Sequence, residues 1–223
     1  MKRILILSVV LLFGFGINAQ TTLVFTKGFK ANATMSNFLL ENSGSKSNLG
    51  FGALIGSSDK LEIGEHFALQ GELLFRYGTP DIRDKTTGAK NIYQNWSVEI
   101  PTYAVGQIKV GLGKAFFGIG PYIGLELSAK SNTEKINLYK KDKITGESTM
   151  SHWDFGGGAI LGYEFANKIF VDATYRIGFL NLLNVNKDGT TMRDQVFSLG
   201  LGYRFQLFSI KLDKTKSMKT FFD

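Results

Sequence analysis

The stretch FALQGELLFRYG, Phe67 to Gly78, decides the fold because its residues alternate between two faces. The first face is mainly large and apolar and consists of Phe67, Leu69, Gly71, Leu73, Phe75 and Tyr77. The second face is mixed and partly charged and consists of Ala68, Gln70, Glu72, Leu74, Arg76 and Gly78. Successive side chains of a β-strand point to opposite sides of a sheet, so this period of two predicts a strand with one apolar face.

The same alternation recurs along the chain, and no window after residue 19 shows the period of an amphipathic helix. Seven further strands are predicted at about residues 23–36, 48–58, 94–110, 117–128, 152–165, 169–180 and 197–206. Strands of soluble sheets average about five or six residues, whereas a tilted membrane-spanning strand needs about 9–11. The length of the predicted strands therefore favours a membrane barrel.

The predicted connections alternate in length. Those after odd-numbered strands are long, at about residues 37–47, 79–93, 129–151 and 181–195. Those after even-numbered strands are shorter, at about residues 59–66, 111–116 and 166–168. Outer-membrane barrels have short periplasmic turns and longer external loops. The sequence thus predicts an all-β fold, an eight-stranded antiparallel up-and-down transmembrane β-barrel with both termini periplasmic.

The polar face of these strands carries many glycines and a balanced set of charges. Small residues suit the narrow interior of an eight-stranded barrel, and buried charges persist when they are paired. We expect a structural ion-pair network in the lumen, formed by Glu72, Arg76, Glu99, Lys109, Glu126, Asp154, Glu164, Asp172, Arg176 and Arg204. The alternative is a soluble lipocalin-like ligand carrier, in which the same charges would face water.

Aromatic residues on the opposite face fall mostly near strand ends, namely Tyr77, Trp96, Trp153, Tyr163, Tyr175 and Tyr203. This distribution is typical of the aromatic girdles that flank the apolar band of a membrane barrel. It agrees with an apolar face turned toward outer-membrane lipid.

The two ends of the chain lie outside the predicted barrel. Residues 1–19 have a basic start, an apolar run from Ile4 to Ile17 and a small residue before Gln20, the pattern of a cleaved signal peptide. We expect the barrel to occupy residues 20–208. Residues 209–223 contain several lysines and are interpreted as a basic periplasmic tail.

Composition excludes several classes of function. The formal net charge is +7, but the basic residues form no stripe with stacking aromatics, so no nucleic-acid partner is expected. The chain has no cysteine and two histidines, which leaves no thiolate or histidine-rich metal site and implies no cofactor. Ser151 and His152 are adjacent and would point to opposite faces of a strand, so they cannot form a dyad by themselves.

The sequence resembles the PorT-like outer-membrane β-barrel domains of Bacteroidota over nearly the whole of the chain after residue 19. The matching stretches, in order, are GFKANATMSN at 28–37, FALQGELLF at 67–75, VEIP at 98–101, GPYIG at 120–124, DFGGG at 154–158 and YRIGF at 175–179. The resemblance implies an eight-stranded barrel in the outer membrane. It departs from the family where eighteen residues follow Phe205, since such barrels usually end on the last aromatic of the final strand.

The function expected from the sequence is that of a non-enzymatic structural or interaction module with a packed polar lumen and long external loops. One named relative of the resembled family assists a protein-secretion system, so an envelope or secretion protein is the expected partner, besides outer-membrane lipid. A lipid-modifying outer-membrane enzyme, in which His152 would act with a residue of another strand, is the alternative within the membrane.

Overall fold

A computed structural model describes residues 20–131, 137–140, 148–184 and 189–213. The predicted signal peptide and residues 214–223 lie outside this part of the chain. Within it the secondary structure consists of ten strands: β1 (Gln20–Glu41), β2 (Ser45–Asn48), β3 (Gly50–Ile63), β4 (Phe67–Gly78), β5 (Asp81–Asp84), β6 (Lys90–Val110), β7 (Gly113–Ser131), β8 (Trp153–Glu164), β9 (Ile169–Gly178) and β10 (Thr191–Asp213). No helix of the described residues is long and apolar enough to cross a membrane.

Eight long strands close into a ring in the order β1-β3-β4-β6-β7-β8-β9-β10, and β10 pairs with β1. Every pairing is antiparallel, and each strand pairs with its neighbours in the chain except where the first meets the last. Closure gives each of these eight strands a partner on both sides, and β-structure inside a bilayer requires this because an open edge would leave backbone groups unpaired. The predicted eight-stranded antiparallel barrel is confirmed.

The connections have different lengths at the two ends of the barrel. The short-turn end has the turns 64–66, 111–112 and 165–168, which contain Gly64, Gly111 and Lys168 at positive φ. The long-loop end has the connections 42–49, 79–89, 132–152 and 179–190. Two of these contain the short strands β2 and β5, which pair with each other and extend the sheet beside β6.

The barrel is apolar outside and polar inside. Outward-facing residues such as Phe51, Ile119 and Leu201 are 71%, 58% and 61% exposed, whereas Glu72, Arg76 and Arg176 are at most 3% exposed. A soluble barrel needs the opposite arrangement, because its charges must face water. The lipocalin-like alternative is therefore wrong, and the apolar face suits outer-membrane lipid.

One predicted boundary needs correction at the end of the barrel. Strand β10 continues to Asp213, so residues 209–213, assigned above to the tail, belong to the sheet. Their backbone pairs with the start of β1, from Val24 opposite Ser209 to Gln20 opposite Asp213. The side chain of Phe208 also stacks on Phe25 at 5.3 Å between ring centroids. Because the first residues of β1 need hydrogen-bond partners, the last strand runs on past Phe205.

Candidate functional site: the charged interior of the barrel

Inward-facing charges form three clusters along the barrel. The short-turn cluster consists of Lys60, Glu62, Glu164 and Arg204; the middle cluster of Lys30, Glu72 and Asp172; and the long-loop cluster of Arg76, Glu99, Glu126, Asp154, Arg176 and Asp194. All of these residues are buried. They come from different strands and meet because the alternation of each strand directs every second side chain inward.

The short-turn cluster is centred on Arg204. The Arg204 guanidinium donates to Glu164 Oε2 at 3.0 Å and to Gln70 Oε1 at 2.7 Å, and its carbon lies 4.0 Å from the ring centroid of Phe170. Lys60 Nζ lies 3.4 Å from the same Glu164 oxygen and 3.2 Å from Glu62 Oε1. Lys114 and Lys168 also contact Glu62 and Glu164, at 2.7 and 3.5 Å, so each carboxylate of this cluster has at least two cationic partners.

The middle cluster has a single cation. Lys30 Nζ donates to Asp172 Oδ2 at 2.8 Å and to Glu72 Oε1 at 3.1 Å. Neutral donors complete both carboxylates: Asn32 Nδ2 lies 2.7 Å from Asp172 Oδ1, and Gln70 Nε2 lies 2.8 Å from Glu72 Oε1. One buried ammonium group thus faces two buried carboxylates.

The long-loop cluster has more carboxylates than cations. Arg76 donates through Nε to Glu99 and through Nη2 to Asp194 Oδ2, and its Nη2 lies 3.5 Å from Glu126 Oε1. Arg176 Nη1 contacts Glu99 Oε2 at 2.5 Å. Asp154 has no ion pair among the described residues and instead accepts a 2.6 Å hydrogen bond from the Tyr122 hydroxyl.

Apolar side chains close the interior at the long-loop end. This external cap consists of the buried residues Phe38, Ala129, Tyr139, Met150, Leu182 and Met192. Tyr139 links the cap to the charges below, because its hydroxyl donates to Glu126 Oε2 at 3.4 Å. Burial, followed by the nearby Glu126 carboxylate, raises the pKa of Tyr139 well above its ordinary value, so the hydroxyl remains a donor.

Glycines make the dense interior sterically feasible. A Cβ built on Gly200 would lie 2.2 Å from Asn32 Cγ, and one on Gly202 would lie 2.4 Å from Phe170 Cζ. Both distances are far below van der Waals contact. Glycines on the polar face therefore allow their neighbours to fill the lumen.

The structure buries nine of the ten predicted lumen residues, and Lys109 is the exception. The Lys109 side chain is 71% exposed and lies 3.8 Å from the equally exposed Glu65. Its inclusion was wrong because β6 runs past the end of β4, whose pairing with β6 stops at Gly106, and the last three residues of β6, 108–110, are all exposed although they still pair with β7. Alternation stops predicting burial where a strand has lost one of its two neighbours.

Sequence reasoning missed four charged lumen residues: Lys30, Lys60, Glu62 and Asp194. Lys60 and Glu62 lie in residues assigned to a turn, and Asp194 lies in residues assigned to a loop, because the predicted strands were too short. Lys30 lies within a predicted strand. Its alternation with Asn32 and Thr34, which are also buried, was the signal that could have found it.

Ser151 and His152 engage different partners. Ser151 Oγ donates to the Trp153 carbonyl at 3.1 Å, whereas His152 Nδ1 lies 2.8 Å from the Glu126 carbonyl oxygen. The His152 ring also packs 5.2 Å from that of Tyr139. This geometry agrees with the expectation that the adjacent pair forms no dyad.

A family of known proteins and several solved structures are similar to this chain. The family model of the outer membrane protein beta-barrel domain matches residues 18–184. The outer membrane protein OprG from Pseudomonas aeruginosa shares the fold with a TM-score of 0.51 and 14% identity, over 82% of this chain and 95% of OprG. Neisserial surface protein A aligns at 17% identity and a TM-score of 0.48, over 80% of this chain and 97% of that protein. The attachment invasion locus protein Ail of Yersinia pestis aligns at 16% identity and a TM-score of 0.44, over 81% of this chain and 99% of Ail. No curated protein matches the chain at a significant level.

Proposed function

This chain belongs to the family of outer membrane protein beta-barrel domains, and from that premise we propose that it is a non-enzymatic interaction module of the bacterial outer membrane. Its barrel holds the long loops at the membrane surface, where they bind an envelope or secretion protein. The observation that carries this proposal is the filled interior. It leaves the long loops, with their short strands β2 and β5, as the surface that binds a partner.

The filled interior argues against transport through the lumen. Eight-stranded barrels have room inside for side chains, whereas aqueous channels occur in barrels of about 16 strands. Here paired charges occupy the barrel along its length, and the external cap covers the long-loop end. Protein reconstituted in a planar bilayer should therefore give no unitary conductance. A stable channel in these bilayers would refute the packed lumen.

The described surface best suited to a partner is a basic row across strands β2, β5 and β6. Lys46 pairs with Arg83, and Arg83 pairs with Lys90, so three cations stand side by side. All three are exposed. Like charges placed directly opposite each other destabilise a sheet, which favours a role in binding for this row. Lys90 contacts Asp81 at 3.0 Å, whereas no carboxylate of the described residues lies within 4.0 Å of Lys46 or Arg83.

Charge reversal at this row tests the proposed contact. In the double variant Lys46→Glu and Arg83→Glu, in-cell cross-linking to an acidic envelope protein should be lost while the barrel stays folded. Lys109→Glu is the matched control, since Lys109 is an exposed lysine at the short-turn end. The proposed surface is rejected if the double variant retains the cross-link, or if Lys109→Glu reduces the cross-link as much as the double variant does.

Catalysis is not part of the proposed function. An enzyme acting on lipid would need His152 Nε2 to pair with a nucleophile, since Nδ1 lies 2.8 Å from the Glu126 carbonyl oxygen, and no described hydroxyl is hydrogen-bonded to Nε2. Hydrolysis of a labelled lipid that is lost in His152→Ala would contradict a non-enzymatic role.

The orientation and the finer family are also proposals. Gln20 and Asp213 pair at the short-turn end, which is the periplasmic end in outer-membrane barrels. We place both termini in the periplasm, after removal of residues 1–19 as a signal peptide, and assign the chain to the PorT-like group. A tag at the C-terminus should resist protease added to intact cells, and its cleavage would reverse the orientation.

A further inference from the structure

We infer that the long-loop cluster binds a divalent cation, with Glu126, Asp154 and Asp194 as its carboxylate ligands. One carboxylate oxygen from each residue lies within 4.8 Å of the other two. The three residues are 2%, 2% and 3% exposed and come from β7, β8 and β10. Strand pairing thus brings three acidic side chains to one buried point.

The charge balance of the cluster calls for added positive charge. Among the described residues, the four carboxylates of Glu99, Glu126, Asp154 and Asp194 face two cations, the guanidinium groups of Arg76 and Arg176. When all four carboxylates are ionised, two negative charges therefore have no cationic partner in the described part of the chain. An uncompensated buried carboxylate costs several kcal/mol. A single divalent cation would neutralise the cluster.

Buried oxygens without a hydrogen-bond partner also indicate a ligand, and one of them, that of Asn95, is independent of the acidic cluster. Among the described residues, no protein group donates to Asp154 Oδ1 or Asp194 Oδ1. The same holds for the amide oxygen of Asn95, a neutral residue that is 3% exposed and whose side chain hydrogen-bonds Glu126. Buried polar atoms nearly always have a partner. These three oxygens are available to coordinate a cation.

The chemistry of the donors favours Ca²⁺. All the donors are oxygens, which are the ligands that hard cations prefer. Ca²⁺ takes about six to eight oxygen ligands in flexible geometry, whereas Mg²⁺ demands near-ideal octahedral geometry and usually keeps several waters. Three carboxylates and the Asn95 amide oxygen, supplied by separate strands, suit the more adaptable ion.

The site also has a link to the external cap. Glu126 accepts from the Tyr139 hydroxyl of the cap, and Asp154 accepts from the Tyr122 hydroxyl. Gly178 leaves room for the Asp154 carboxylate, since a Cβ there would lie 2.8 Å from Asp154 Oδ1. Cation binding would therefore hold the cap and three strands together.

Terbium luminescence tests the site in full-length folded protein in detergent micelles. Tb³⁺ replaces Ca²⁺, and Tyr122 and Tyr139 stand close enough to the ligands to sensitise its emission. We expect saturable emission that Ca²⁺ displaces at lower concentration than Mg²⁺, and a heat-unfolding midpoint that rises with Ca²⁺. Wild-type protein with neither saturable emission nor a Ca²⁺-dependent midpoint would overturn the inference.

Variants locate the site. Asp194→Asn and Asp154→Asn should each weaken Ca²⁺ binding about tenfold or more, because affinity depends on the charge of the ligands. Asn95→Ala removes a neutral oxygen without changing the charge and should also weaken binding, which keeps the test available if an aspartate variant does not fold. Glu62→Gln removes a buried carboxylate of the short-turn cluster and should bind as wild type. Equal loss in Glu62→Gln, or wild-type affinity in Asn95→Ala and in the folded aspartate variants, would place the cation elsewhere.

Discussion

Replacing Lys30 with methionine should destabilise the barrel strongly. The Lys30 ammonium is the only cation of the middle cluster and contacts Asp172 Oδ2 at 2.8 Å and Glu72 Oε1 at 3.1 Å. Methionine fills a similar volume but leaves two buried carboxylates without a positive partner. Removing one partner of a buried ion pair typically costs about 3–5 kcal/mol.

The expected cost for Lys30→Met is about 3 kcal/mol, at the lower end of that range. Asn32 and Gln70 still donate to the two carboxylates and retain part of their stabilisation. Neutralising both acids should recover most of the loss, since an uncharged cluster has no buried charge to compensate. The triple variant Lys30→Met, Glu72→Gln and Asp172→Asn therefore tests the cause as well as the size of the effect.

Urea unfolding in phospholipid vesicles, followed by tryptophan fluorescence, gives the free energy of unfolding for each variant. Lys109→Met is the matched control, since the same substitution removes an exposed lysine and should change stability by less than about 0.5 kcal/mol. Equal effects of Lys30→Met and Lys109→Met, or a triple variant no more stable than Lys30→Met alone, would refute uncompensated buried charge as the cause.

Two further predictions concern packing and closure. Gly120→Ala should destabilise the barrel by about 1–3 kcal/mol or more, because its Cβ would lie 1.9 Å from the Thr102 carbonyl oxygen. The control is Gly71→Ala, whose Cβ would meet nothing within 4 Å and which should leave the free energy of unfolding in the same urea assay unchanged. The pair Ala31→Cys and Leu201→Cys, opposite each other across β1 and β10, should form an intramolecular disulfide that is detected by gel mobility under oxidation. The control pair Ala33→Cys and Leu201→Cys is displaced by two residues and should not form a disulfide. Preferential cross-linking of this control pair would disprove the pairing register of β1 with β10.

The fold was predictable from sequence because its main determinant is local. Alternation within Phe67–Gly78 fixes both the strand and its sidedness, and strand β4 has these same bounds. Strand ends were harder to predict, since they depend on partners distant in the chain: β10 reaches Asp213 only because β1 begins at Gln20. The small strands β2 and β5 follow from pairing between two loops, which alternation within one segment does not reveal.

The candidate site was predictable in its composition and unpredictable in its pairing. Alternation placed Glu126 and Asp154 inside, but their meeting with Asp194 depends on the register of three strands. The Tyr139 contact depends on how a loop folds back over the barrel. Placing Asp194 in a strand also raises the excess of carboxylates over guanidinium groups in the long-loop cluster from one to two.

Contact between the apolar face of the barrel and lipid underlies both the fold and the proposed function, and the native tryptophans test it directly. Trp96 and Trp153, the only two in the chain, face outward and are 39% and 59% exposed. Wild-type protein reconstituted in vesicles of brominated phosphatidylcholine should lose most of its tryptophan fluorescence, most strongly with bromines near the headgroups, as expected for an aromatic girdle. Fluorescence that brominated lipid leaves unquenched, while a water-soluble quencher reduces it, would contradict a barrel with its charges inside and its apolar face in the membrane.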